Sequence, residues 1–112
     1  MEIAHERDGE VVVVRLSGRL DSSTAKPAED GLAAAIAGID EPRVVIDLTG
    51  LGYISSAGLR VLLLTDKRIK SAGGRLALCG LGASVREVFS ISGFDTVLSL
   101  QPGRSAAIAT VR

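Results

Sequence analysis

The sequence predicts a single α/β domain spanning residues 1–112, built on a mixed, mostly parallel sheet with an N-terminal hairpin and about four helices. Three observations lead there. Asp8-Gly9 separates two strand-like segments and announces a tight hairpin. Downstream, short apolar runs suited to strands buried on both faces alternate with longer segments of helical spacing. With 112 residues, 46% of them apolar and only 3% aromatic, the chain has enough Val, Leu, Ile and Ala to close one aliphatic core.

Taken in order, Glu2 to Arg7 and Val11 to Leu16 form the antiparallel hairpin. Leu20-Asp21 then leads into Ser22, Ser23 and Thr24, whose hydroxyls suit a helix start, and Ala25, Ala28, Leu32, Ile36 and Ile39 follow at helical spacing. Pro27 is tolerable there because it falls in the first turn. Arg43 to Leu48 reads as a buried strand, and Thr49-Gly50-Leu51-Gly52 as the turn-rich exit from the sheet.

A long helix is expected from Ser56 to Ala72, with Leu59, Leu62, Leu63 and Ile69 toward the sheet and Gly73-Gly74 ending it. Val61 and Leu64 fall outside that stripe. A strand at Arg75 to Cys79 leads to a short helix carrying Val85, Val88 and Phe89 and ending near Gly93; Thr96 to Leu100 reads as a last strand, and Pro102-Gly103 introduces a final helix with Ala106, Ala107 and Ile108. Strands that alternate with helices need crossovers, which makes most of the sheet parallel.

Charge and cysteine content exclude several function classes. Thirteen basic residues balance thirteen acidic ones, so no broad positive field recruits nucleic acid or an anionic membrane surface. The opening MEIAHERDGE has no apolar signal region, and runs such as Val61 to Leu64 are far too short to span a bilayer; a cytoplasmic chain is expected. Cys79 is the single cysteine, within the apolar run Leu76 to Leu81, and is expected to pack as a small hydrophobe. His5 is alone on a strand and lacks the partner that catalytic or metal-binding imidazoles need. No metal or other cofactor is expected.

Ligands of open α/β sheets gather beyond the carboxyl ends of the strands. That edge holds Asp21, Asp47, the segment Thr49 to Ser55, and Ser56. Enzymatic readings of it fail on the residues. Gly50-x-Gly52 lacks the third glycine of a dinucleotide loop, Ile54 stands where a nucleophile elbow requires glycine, and a receiver-type role for Asp47 lacks the acidic pair after the first strand. Ser55 and Ser56, at the start of the long helix, are either caps or a place where a phosphate is tolerated, because unpaired amides and the helix dipole both favour an anion there.

The combination of Gly18-x-Leu20-Asp21, Val45-Ile46-Asp47-Leu48 to Tyr53, and Ile54-Ser55-Ser56-Ala57-Gly58-Leu59 resembles the STAS family, named for sulfate transporters and anti-sigma factor antagonists. The resemblance covers essentially the whole chain. It implies a bacterial anti-sigma factor antagonist whose phosphorylatable serine is Ser56, with Ser55 where the family usually has Asp, Ala57 in place of a second hydroxyl residue, and Gly58 and Leu59 matching. It also implies partner switching with a kinase-type anti-sigma factor, reset by a phosphatase, with ATP belonging to the kinase and no direct contact with nucleic acid or membrane. The expected docking face comprises Asp21, Ser22, Ser55, Ala57, Gly58, Arg60, Val61 and Leu64. The alternative is a STAS scaffold or transporter-associated subunit that phosphorylation does not regulate.

Overall fold

The structure, a computed structural model, describes residues 1–112. Strands β1 (Glu2–Asp8) and β2 (Val11–Leu20) pair antiparallel with Asp8 opposite Val11, so the hairpin turns on Gly9-Glu10, one residue later than expected. The reason is that only Gly9, at φ +62°, takes a left-handed conformation, as a turn with glycine in its first central position requires. Helix α1 (Ala25–Ile36) follows, then β3 (Arg43–Asp47), β4 (Leu51–Ile54), α2 (Ser56–Ser71), β5 (Arg75–Cys79), α3 (Ala83–Ser92), β6 (Leu100–Gln101) and α4 (Arg104–Val111). Ile39 lies beyond the end of α1 and packs against the core from the following loop.

The sheet runs β1-β2-β3-β5-β6, and every pairing except the hairpin is parallel. Two elements differ from expectation. The segment after Gly50 is not all turn: β4 pairs in parallel with the far end of β2, Gly18 to Leu20. Conversely, the Thr96 to Leu100 region is mostly irregular, with a 3-10 turn at Phe94–Thr96 and a strand of only Leu100–Gln101. Gly93 explains the second difference, because its left-handed cap (φ +79°) turns the chain out of α3 and spends the next residues regaining the sheet.

The core is divided by the sheet into two clusters. Alternation along β2 does the sorting: Val12, Val14 and Leu16 face α1, α2 and α3 in a cluster of 21 buried residues, while Val11 and Val13 join Val45, Ala77 and Cys79 under α4 in a cluster of 8. Most of the stabilising apolar burial therefore lies on the side that carries α2. That helix ends in a Schellman arrangement, in which Gly74 N donates to Ile69 O (2.8 Å) and Gly73 N to Lys70 O (3.0 Å), with Gly73 at φ +77°.

Candidate functional site

The site is assembled where β2 and β4 end side by side. Leu20 is paired with Ile54, and Ser55 N donates to Leu20 O at 2.9 Å, which sets Asp21 beside the start of α2. Ser55 is the extended N-cap (φ −102°, ψ 177°), and its hydroxyl accepts from Gly58 N at a long 3.4 Å. Ser56 is the first helical residue and is exposed, and its hydroxyl is left free of the capping task that Ser55 performs.

Behind the serines the helix is pressed hard onto the sheet. Gly58 is buried, and a Cβ there would meet Leu20 O at 2.7 Å, Leu20 Cγ at 2.8 Å and Ile54 Cγ1 at 2.9 Å. Gly58 thus faces inward, permitting the close approach that brings Ser56 to the rim, and offers nothing outward to a partner. Val61 also turns inward. It is only 4% exposed and belongs to the larger core cluster, because α2 buries a broad stripe of Gly58, Leu59, Val61, Leu62, Thr65, Asp66 and Ile69. Its side chain therefore leaves the expected docking face. Arg60 is exposed as expected, Leu64 is 37% exposed, and Ala57 is half-buried.

Asp21 is held by its own turn. Its carboxylate accepts from the Ser23 hydroxyl (2.7 Å) and amide (3.0 Å) and lies 3.7 Å from Arg19 Nε; the Ser23 hydroxyl above all holds its pKa below the ordinary value. Ser22 stands exposed at the tip of this turn. Thr24, the N-cap of α1, gives its hydroxyl to Arg19 O and accepts from Asp21 N rather than capping the helix. Arg19 also stacks on Tyr53, 4.1 Å from the ring centre, an exposed cation–π pair missing from the expected site.

Sequence reasoning also missed the far wall. Ser56, Leu59, Arg60 and Leu63 on α2 form a shallow groove with Ser92 and Phe94 from the end of α3. The groove continues along Leu64 and Lys67 to Val97, which is 53% exposed. A helix-stopping glycine followed by apolar residues, Gly93-Phe94 and Val97, was the available signal, and the structure leaves Phe94 half-buried and Val97 exposed; reading a strand there concealed it.

Other candidates have settled roles. Burial pushes the Asp47 carboxyl up, but the Thr49 hydroxyl (2.6 Å) and amide (2.9 Å) together with Arg104 (3.0 Å) outweigh it and hold the pKa low. Arg104 also reaches Glu6 at 3.2 Å, so this corner ties α4 to two strands. Burial raises the Cys79 thiol to about 11, which keeps it protonated and unreactive near neutrality. His5 is exposed on β1, and no group of three His, Cys, Asp or Glu side chains could hold a metal ion. No helix is long and apolar enough to cross a membrane.

The family model described as "Mlab, STAS domain" matches residues 3–102; the chain belongs to that family. Its relatives within the family include anti-sigma factor antagonists, and the murine Slc26a9 anion transporter shares the fold, with a TM-score of 0.80 at 17% identity over 95% of this chain and 18% of that one. BtrV of Bordetella bronchiseptica, assigned to that group, is 41% identical over 112 residues, covering 100% of this chain and 96% of the relative. The anti-sigma F factor antagonist of Paenibacillus polymyxa is 31% identical over 89% of this chain and 84% of its own length. The crystal structure of an anti-sigma factor antagonist from Mycobacterium paratuberculosis superposes with a TM-score of 0.88 at 29% identity, covering 99% of this chain and 93% of that one.

Proposed function

We propose that the chain is an anti-sigma factor antagonist, a binding module without catalysis of its own, which docks on a kinase-type anti-sigma factor when unphosphorylated and is released by phosphorylation of Ser56. The observation that carries this is the division of labour between the two serines: Ser55 caps α2, leaving Ser56 exposed beside the Arg60–Leu63–Phe94 groove. The kinase would move the γ-phosphoryl group of ATP onto Ser56 Oγ, displacing the hydroxyl proton and releasing ADP.

At the first position of a helix the added charge is tolerated by the fold. At the centre of a docked surface the same charge must be desolvated, which opposes binding. The docking face is formed by Ser56, Arg60 and Leu64 with Asp21, Ser22, Ser55 and Ala57 around them, and it extends to Phe94 and Val97. A phosphatase restores the binding form.

The test is incubation of the purified chain with a kinase-type anti-sigma factor and ATP, followed by mapping of the phosphate. Phosphate on Ser56, absent from Ser56→Ala, is expected. Incorporation at the wild-type level in Ser56→Ala would move the acceptor elsewhere, Ser55 first. One observation favours the scaffold alternative: the first turn of α2 holds no acidic residue, Ser55 standing in the acidic position. A stable complex with no phosphate on any residue would support that alternative instead.

A further inference from the structure

Arg60 stands four residues after Ser56 on α2, and side chains at that spacing are neighbours on a helix surface, with an anion on the earlier residue and a cation on the later one in the favourable sense. Both are exposed and line the same groove, whose other lining residues, Leu59, Leu63, Ser92 and Phe94, carry no charge. Arg60 makes no ion pair, whereas Arg19, Lys26, Arg68, Lys70, Arg104 and Arg112 all do.

Asp95, on the turn between Phe94 and Val97, is exposed and makes no ion pair with Arg60 or with any other cation; two other acids are committed elsewhere. Asp66, which shares the continuation of the groove, is buried and bonded to Lys70 at 2.9 Å. Asp21 is held by Ser23 and Arg19, and the first turn of α2 contains no acid. The other cation near the serines, Arg19, is occupied by Tyr53 and Asp21. One unpaired guanidinium therefore lies within reach of Ser56, and its planar fork suits a phosphate.

We propose that Arg60 is the internal counter-ion of a phosphorylated Ser56, so that modification withdraws a cation from the docking groove at the same time as it adds an anion. This rests on Ser56 being the phosphoacceptor and names how its modification is read. In the unmodified chain Arg60 is free to meet an acidic group of the partner. In the modified chain it is turned back onto its own helix, and the groove loses its charge complementarity without any change of fold.

The experiment uses the full chain with phosphoserine incorporated at position 56 during translation, which removes any dependence on a kinase. The second ionisation of the phosphate, near pH 6 in an isolated phosphoserine, is followed by phosphorus NMR in the wild type, Arg60→Gln and Arg60→Lys. At low ionic strength the wild-type value should lie below that of Arg60→Gln by roughly 0.3 units, the scale of an exposed helical ion pair. Arg60→Lys should fall between them, and the difference should vanish at about 1 M salt, where screening acts within ~3 Å. Equal ionisation of wild type and Arg60→Gln at low ionic strength overturns the proposal. Calorimetry of the phosphorylated chain with the anti-sigma factor is read separately: unchanged affinity there would remove the switch but leave the ion pair standing.

Discussion

The two faces of α2 share one helical backbone but differ in composition and burial: four of the seven buried residues are aliphatic, whereas Leu64 is the one aliphatic residue among those exposed. The inner face, Gly58, Leu59, Val61, Leu62, Thr65, Asp66 and Ile69, is buried against the sheet and α1. The outer face shows Ser56, Arg60, Leu64 and Lys67 to solvent. Val61 and Leu64 make the comparison sharpest. They are three residues apart and neighbours on the helix surface, yet one is 4% and the other 37% exposed, because the packing of α2 against both the sheet and α1 covers Val61 and stops short of Leu64.

If the faces are separable, their substitutions should affect different measurements. The largest effect belongs to the inner face: Leu62→Ala, at a fully buried position, should lower the unfolding free energy by about 2–5 kcal/mol in urea titration. Its folded fraction should still bind the partner with wild-type affinity; a selective loss of binding would show that the inner face reaches the interface. Gly58→Ala should cost about 1–3 kcal/mol by overpacking against Leu20 and Ile54, offset in part by the better helix propensity of alanine.

On the outer face, Ser56→Glu and Arg60→Glu should each weaken the partner complex at least about tenfold, or about 1.4 kcal/mol, by calorimetry. Thermal stability should change by no more than ~0.5 kcal/mol, as for most exposed substitutions. Normal affinity in Arg60→Glu with an intact fold would confine docking to the serine rim and the Asp21 turn. The smallest effect is expected for Ser55→Ala, at or below the low end of about 0.5–2 kcal/mol for loss of a cap, because its bond to Gly58 N is long.

A pH experiment extends the comparison to the corner where α4 is tied down. Asp47 has a folded pKa below its unfolded value, so its ionised form contributes stability that is present above the unfolded value of about 3.9 and is lost as pH falls through the folded one. Asp47→Asn should therefore be less stable than wild type at pH 7 and approach it below about pH 4. Parallel urea curves at the two pH values check this; a deficit that persists unchanged in acid would assign the loss to geometry rather than to charge. Asp21, lowered in the same direction but held mainly by Ser23 in its own turn, should leave a residual acid slope in that variant.

Much was determined locally and was therefore legible in the sequence. Period-2 alternation in Val11–Leu16, helical spacing in Leu59–Ile69, the paired glycines after α2 and the serines before it all act over a few residues. The order of elements other than β4 followed from them; the local pattern left Ser55 and Ser56 equivalent, and Ser56 was singled out by the resemblance to the STAS family. Tertiary structure decided what depends on residues far apart in the chain. Leu51–Ile54 is a strand only because the end of β2 offers it a free edge. Val61 is inside because α2 meets both the sheet and α1, widening its buried stripe beyond what one contact would cover. The groove beside Ser56 exists because Gly93 turns the chain so that Phe94 and Val97 come to lie along a helix that begins nearly forty residues earlier. Spacing along a helix or strand records which side chains share a face; which neighbour covers that face, and how completely, is set by packing between segments that the local pattern does not encode.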